Sequence, residues 1–225
     1  MAIFTGPTVF PTAAFPSSRR TLGDIKTELA RPYNPDDETT LALAGDAWNS
    51  AIRAYNRYNW PWEVLTTDIA VTSGTDTYTL PSQFKAPLAA SRLDSNSRPW
   101  RRLAYQPYES FVNLYLANSQ GIEYSYTLCN TFETGQITFY PVPSSADTIR
   151  VWYYRATPTI QTDSTPVEAP ETAVEAIMDW ARYLMVTYKL ADQTERIVIS
   201  YRQAMQSRAE LVAMTQDRGD SYGIQ

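Results

Sequence analysis

The chain has 225 residues and a formal net charge of −5, with one cysteine, Cys129, and no histidine. These counts exclude Ser-His-Asp and Cys-His nucleophilic sites, an internal disulfide, and a zinc site with an ordinary ligand set. The acidic balance argues against a dedicated nucleic-acid binder, which needs basic charge to displace phosphate counterions. Only carboxylate, lysine or tyrosine chemistry remains, beside roles without chemistry.

The aromatic content favours contact surface but does not require it. The chain contains 16 tyrosines and 6 tryptophans, residue types that are enriched at interfaces. A β-rich protein with half-buried strands would show the same enrichment. No apolar run approaches the ~20 residues of a membrane span. The first ten residues lack a basic region and contain Pro7, so we expect no signal peptide and synthesis in a cytoplasm.

Residues 1–20 are predicted to form an extended N-terminal arm. They carry three prolines and three phenylalanines: Pro7, Pro11, Pro16, Phe4, Phe10 and Phe15. Proline at this density opposes helix and favours extended backbone, while the phenylalanines need burial. Packing on the arm's own domain and packing on a neighbouring subunit both satisfy this pattern, and both stay open.

Two helices are predicted next. Thr21 with Asp24 has the spacing of a capping box, and Pro32 ends the first helix. The acids at 36–38 mark the start of a longer helix rather than a metal or acid–base site. Apolar residues then recur at spacings of three and four up to 59–62, which predicts a helix on the order of 35 Å long.

The pattern then changes to a period of two, which predicts strands. Segments 68–72 and 75–80 flank Ser73-Gly74 as in a hairpin. Further strands are expected in 85–104, around a turn at 94–97, and at 121–130, 135–140 and 147–157, with a short helix at 108–117. The strands at 136–140 and 148–157 flank a Pro/Ser/Asp turn and are expected to form a pair.

The last third returns to helix. Pro170 suits a first helical turn, and residues 191–193 allow a turn before a second long helix. We therefore predict an α+β fold: a helical bundle from the N- and C-terminal segments with an inserted antiparallel β domain. The predicted parts are the arm 1–20, a bundle of 21–62 plus 166–214, a β-rich insert 63–165 and a flexible C-terminal tail 215–225.

Two charged groups invite a functional interpretation. Arg98, Arg101 and Arg102 surround Trp100, either as a contact for phosphate or an acidic partner, or as a turn with solvated arginines. Glu171, Glu175 and Asp179 recur every four residues on one helix face. That stripe is either a solvated face or a surface that faces a channel or a basic partner.

In their order along the chain, four segments and the helix pair after Pro170 resemble the head-to-tail adaptor proteins of tailed bacteriophages, of the tail-tubular-protein-A kind. The segments are Tyr58-Asn-Trp-Pro-Trp-Glu, Thr77-Tyr-Thr-Leu-Pro-Ser-Gln-Phe, Ile137-Thr-Phe-Tyr-Pro-Val-Pro and Val151-Trp-Tyr-Tyr-Arg-Ala-Thr-Pro. The resemblance covers about residues 20–215. The proline-rich start is not part of it.

The resemblance implies a non-enzymatic ring of twelve copies beneath the portal that carries the tail or nozzle. DNA would pass through its lumen without specific binding, and no cofactor, metal or membrane is implied. On this view the portal is docked by Arg218, Asp220, Tyr222 and Ile224, and the lumen is faced by Glu171, Glu175 and Asp179. A tail or subunit interface would comprise Trp100, Arg101 and Arg102, with Tyr140, Trp152 and Tyr154 as half-buried sheet residues.

Three alternatives stay open. One is another tail-side ring component, such as a tail-completion or nozzle protein. Another is a carbohydrate-binding module that uses Trp60, Trp62 and Trp100 as exposed platforms. The third is a hydrolase with carboxylates alone, for which the sequence pairs no two acids convincingly.

Overall fold

The computed structural model describes residues 19–115, 120–121, 124–129 and 135–220. The helices in these ranges are α1 Leu22–Ala30, α2 Glu38–Tyr55, α3 Tyr108–Tyr115, α4 Glu171–Lys189 and α5 Thr194–Asp220, with a 3-10 turn at Pro61–Glu63. The strands are β1 Val64–Val71, β2 Thr77–Thr79, β3 Phe84–Leu93, β4 Pro99–Tyr105, β5 Gln120–Gly121, β6 Ser125–Cys129, β7 Gln136–Tyr140, β8 Val142–Pro143 and β9 Asp147–Arg155. The predicted α+β class is confirmed, with helices toward both ends of the chain and a mostly antiparallel sheet.

The described residues divide into two units. The helical unit comprises 19–62 and 157–220, and the β unit comprises 63–156. The segment 157–165, which the sequence pattern places in the β insert, therefore packs with the helices. The Asn49 side chain on α2 accepts a hydrogen bond from the Ile160 amide and donates one to its carbonyl, both at 3.0 Å. Residues 1–18 of the predicted arm lie outside the described residues.

The helix starts follow the predicted capping chemistry. Thr21 Oγ1 accepts from the Asp24 amide at 3.3 Å, and Asp24 accepts from the Thr21 amide at 2.9 Å, which confirms the capping box. Asp37 caps α2 by accepting from the Thr40 amide at 2.9 Å. At the other end α2 stops at Tyr55, because Trp60 Nε1 donates to the Tyr55 carbonyl at 2.9 Å and its ring stacks on that of Tyr55. The helix is on the order of 27 Å long, shorter than predicted.

The core of the helical unit lies between α1, α2 and α4. Its largest fully buried side chains are Ile25, Leu29, Trp48, Ile52, Met178 and Met185. The Tyr55 hydroxyl donates to the Ala176 carbonyl at 2.8 Å, and burial raises the Tyr55 pKa. Pro170 is the N-cap of α4 rather than part of its first turn.

Helix α5 is longer than the pattern predicted. It runs to Asp220, so residues 215–220 of the expected flexible tail are helical. Ala204 and Leu211 are its buried residues among those whose burial is described. Residues 221–225 lie outside the described residues. Val212, which directly follows Leu211, also packs against the core of the helical unit.

The sheet has the strand order β1-β9-β3-β4-β6-β7-β2, antiparallel except between β4 and β6. The β3–β4 hairpin around 94–97 is confirmed, with Ser97 at a φ of 59° in the turn. The hairpin predicted across Ser73-Gly74 is wrong, since β1 pairs with β9 and β2 pairs with β7 at the opposite edge. The Gly74 amide donates to the Pro143 carbonyl at 2.9 Å, which turns the chain away from β1. The expected pairing of β7 with β9 is also wrong, because β3, β4 and β6 lie between them.

A buried ion pair lies where the chain enters and leaves the β unit. Glu63, only 1% exposed, accepts from Arg155 Nε at 3.2 Å. Burial lowers the pKa of the nearby Lys85, and the Glu63 charge opposes that shift. A carboxylate this deeply buried needs its cationic neighbours, because an uncompensated buried charge is strongly destabilising.

Arg155→Ala is expected to lower the free energy of unfolding by about 3–5 kcal/mol, since it leaves the Glu63 carboxylate without this guanidinium. Arg150→Ala is the matched control: Arg150 forms a bidentate pair with Asp68 at 2.7 Å, but Asp68 is solvent-exposed. The control should cost about 1 kcal/mol or less. Urea unfolding of both variants measures the difference. Equal losses of unfolding free energy would show that the Glu63–Arg155 pair contributes no more than an exposed ion pair.

Candidate interaction surfaces

Several exposed or half-buried aromatic and basic residues of the β unit lie along β4 and in the turn before it. We call Arg98, Trp100, Arg101, Arg102 and Tyr105 the β4 surface. Trp100 is 56% exposed, and the guanidinium of Arg92 lies 5.7 Å from its ring centroid. Arginine and aromatic residues are the types enriched in protein-interaction hot spots, but Arg101 is half-buried and, as the strand neighbour of Arg102, lies on the opposite face of the sheet.

The arginines of the β4 surface differ from the others on the sheet. Arg92, Arg150 and Arg155 each pair with a carboxylate of the β unit. Arg98, Arg101 and Arg102 have no carboxylate within 4.0 Å among the described residues. Asp94, the nearest acid in sequence, uses its Oδ1 to accept the amides of Asn96 and Arg98 at 2.9 and 2.8 Å. These three guanidinium groups therefore form no ion pair within the described part of the chain.

Two of the other three predicted interface residues lie deeper than expected. Tyr140 is 5% and Trp152 is 8% exposed, so the expectation that they are half-buried is wrong, whereas Tyr154 is partly exposed. The reason is topological, because β7 and β9 each have a strand on both sides. Tyr140 also packs edge-on against Phe111 and Tyr124.

The alternative of a carbohydrate-binding module is weakened, because Trp60, one of its three proposed platforms, is buried. Trp60 is 3% exposed and stacks on Trp62 with ring centroids 4.9 Å apart and an interplanar angle of 12°. Its indole N–H is already used by the Tyr55 carbonyl. A sugar-binding platform needs an open ring face, and of the three tryptophans Trp100 alone is largely exposed.

The acidic stripe of α4 is tied to arginines. Arg20 reaches Glu171 at 2.8 Å, Glu175 at 2.5 Å and Glu28 of α1 at 3.2 Å. Arg182 contacts the same Glu28 at 2.5 Å. The network therefore fixes α1 and the segment before it on α4, and it removes much of the repulsion between acids spaced by four residues.

Asp179 extends the network to α5. Its side chain is 13% exposed and accepts from Arg182 at 2.7 Å and from Ser207 Oγ at 2.5 Å. Gln203 donates to it at 3.4 Å. A solvated face is therefore the wrong interpretation for Asp179, whose carboxylate joins two helices. A position of Glu171, Glu175 and Asp179 on a lumen stays a prediction.

The predicted portal-docking residues are only partly placed. Arg218 and Asp220 lie in the last turn of α5, and Tyr222 and Ile224 lie outside the described residues. The structure adds surface residues that the sequence pattern did not single out. Tyr105 is exposed at the end of β4 and Tyr108 at the start of α3, and Val198, Ile199 and Tyr201 are exposed on α5. For Tyr105 and Tyr108, the signal available in the sequence was an aromatic residue at the end of the arginine-rich strand or just after it.

Two other kinds of site were searched for in the part of the chain that the structure describes. No group of three or more His, Cys, Asp or Glu residues is arranged to hold a metal ion there. None of the helices in those ranges combines the length and apolar character needed to cross a bilayer.

Comparison with known proteins gives one family. Residues 20–224 match the family model described as SU10 adaptor protein. The match includes residues of both units. No curated protein matches the chain.

Asp179→Ala is expected to lower the free energy of unfolding by about 1.5–3 kcal/mol, because the hydrogen bonds that Arg182 and Ser207 make to this carboxylate are lost. Glu171→Ala is the matched control, since Glu171 is about half exposed and its ion pair is worth about 1 kcal/mol or less. Urea unfolding compares the two variants. A loss for Glu171→Ala as large as that for Asp179→Ala would contradict the assignment of Asp179 as the structural member of the stripe.

Proposed function

This chain belongs to the SU10 adaptor protein family, and we propose that it forms a ring that joins the portal of a tailed phage to its tail or nozzle. It is thus a phage adaptor and a component of the virion. The observation that carries the proposal is the match over residues 20–224, which includes both units. The ring, its place between portal and tail, and the passage of DNA are the proposed parts.

We infer a ring because an adaptor between two axial assemblies meets symmetric partners on both sides. Cyclic rings are built from head-to-tail contacts in which two different surfaces of one subunit meet. The resemblance to the tail-tubular-protein-A kind favours twelve copies. Electron microscopy of the purified chain mixed with the phage portal protein counts the copies and identifies the side that meets the portal. An open filament, or binding to tail components alone, would favour the tail-side alternative.

The proposed lumen requires no chemistry. The net charge of −5 disfavours retention of a phosphate backbone. The α4 network holds four carboxylates, of Glu28, Glu171, Glu175 and Asp179, against two guanidinium groups, of Arg20 and Arg182. This excess of negative charge suits a wall that DNA passes without binding. We therefore propose a structural role with no catalytic activity and no cofactor.

The C-terminal end is the proposed portal contact. Helix α5 has 27 residues and is on the order of 40 Å long. Up to Thr215, where burial is described, Leu211 is its last buried residue. Val212 still packs against the core, so we propose that the portal contact lies toward the end of the helix and beyond it.

Deletion of residues 221–225 is expected to leave the free energy of unfolding unchanged and to abolish binding to the portal protein. The physical reason is that the removed residues follow the end of α5 and include Tyr222 and Ile224, which are predicted to contact the portal. Co-purification with the portal protein, with ring formation scored by electron microscopy, measures the effect.

The double variant Tyr222→Ala/Ile224→Ala should reproduce the loss of portal binding, because these are the apolar side chains predicted to dock. Gln225→Ala is the matched control and should bind as the unaltered chain does. A truncated chain that still assembles on the portal would show that docking lies elsewhere.

A further inference from the structure

A cavity of 260 Å³ lies in the helical unit between α2, α4 and the segment 157–169 that follows the β unit. Apolar residues make up much of its wall, among them Trp48, Ile52, Pro158, Ile160, Val167 and Ile177, and polar residues of 157–168 complete it. An apolar cavity of about 150 Å³ is large enough to hold benzene. This cavity therefore has room for one phenyl group.

One residue of the wall carries a hydrogen-bond donor without an acceptor. Trp48 is fully buried, and its indole Nε1 has no hydrogen-bond partner among the described residues. The indole of Trp60, by contrast, donates to the Tyr55 carbonyl. A buried donor left unpaired is costly, and an occupant that brings an acceptor removes that cost. A phenylalanine residue of an extended segment offers both an apolar ring and a carbonyl oxygen close to it.

The described part of the chain begins beside this cavity. The Val167 amide donates to the Arg20 carbonyl at 2.9 Å, and the Leu22 amide donates to the Thr165 carbonyl at 3.2 Å. Thr165 and Val167 both line the cavity. Ion pairs between the Arg20 side chain and acids of α4 hold the same point. Residues 1–18, which lie outside the described residues, are therefore joined to the helical unit next to the cavity wall.

Phe15 is within reach of the cavity. It lies five residues before Arg20, and an extended chain advances at most about 3.6 Å per residue, so the two Cα atoms are no more than about 18 Å apart. Such a short tether keeps the phenyl group at a local concentration of about a millimolar or more beside the cavity. Phenylalanine is among the side chains that gain most from burial. Phe10 lies twice as far from Arg20 along the chain.

We propose that the phenyl group of Phe15 binds in this cavity of its own copy, with a backbone carbonyl of the arm as the acceptor for Trp48 Nε1. The arm of a neighbouring copy is the weaker candidate, because the short tether gives the copy's own Phe15 the higher local concentration. The site fastens the N-terminal arm onto the segment that returns from the β unit. The inference concerns a single copy and does not rest on the proposed ring, so either can fail without the other.

The first test is thermal unfolding followed by helical circular dichroism. Phe15→Ala should lower the melting temperature by about 5 °C, because the burial of the phenyl group is lost. Phe10→Ala is the matched control, since it makes the same change in the same arm, and it should melt as the unaltered chain does. An unchanged melting temperature for Phe15→Ala would overturn the proposal.

The second test locates the phenyl group by NMR of isoleucine methyl groups. Ile52, Ile160 and Ile177 line the cavity, so the ring current of a phenyl group bound there shifts their signals. Phe15→Ala should move these three signals and leave that of Ile137, in the core of the β unit, in place. Signals of the cavity wall that stay in place would contradict the assigned site, even if the melting temperature falls.

A mixing experiment identifies the copy that supplies the phenyl group. Methyl-labelled Phe15→Ala is refolded together with an excess of the unlabelled unaltered chain. If each cavity binds Phe15 of its own copy, the labelled signals stay at the positions of the variant. Their return to the positions of the unaltered chain would show that the arm crosses to a neighbouring copy, and the proposed occupant would be wrong.

Discussion

The fold depends on one constraint: the chain leaves the helical unit for the β unit and must return to it. Two asparagine side chains hold the returning segment. Asn56 donates to the Thr157 carbonyl at 2.9 Å and accepts from the Thr157 amide at 3.0 Å. Asn49 makes the same two bonds to Ile160. Each side-chain amide takes the place of a backbone partner, so the N–H and the C=O of the returning residue are both hydrogen-bonded. Glu63 and Arg155 hold the two ends together in the β unit, where Val64 lies opposite Tyr154.

With the return fixed, α4 can use charge to hold its neighbours. Acids spaced by four residues repel each other on an isolated helix. Arg20 and Arg182 convert that repulsion into attraction, because each guanidinium contacts acids of both α1 and α4. The same acids therefore do not need a partner outside the chain. The sequence alone cannot show these ion pairs, since Arg20 lies some 150 residues before the α4 acids that it contacts.

The sequence predicted what depends on near neighbours. Helix starts at Thr21 and Asp37 follow from capping chemistry, and the β3–β4 turn follows from a polar run between two alternating segments. Strand partners could not be predicted, because β1 meets β9 from more than 70 residues away and a good turn at Gly74 does not pair the strands around it. The burial of Tyr140 and Trp152 depends on that pairing and was missed for the same reason. Trp100 and Arg102 are exposed as expected, but only the structure shows that Arg98, Arg101 and Arg102 form no ion pair with the described acids.

Paired and unpaired charges differ in role. Charges paired within one copy stabilise the subunit, whereas unpaired charges remain available for assembly. An ion pair inside one copy fixes the relative position of two elements, and its members cannot also meet a partner without losing that role. The unpaired charges have no such role, and exposed pairs contribute little to folding. They can therefore vary in position at small cost to stability. A cyclic assembly repeats one contact around its axis, so even a modest attraction per contact is multiplied by the number of copies.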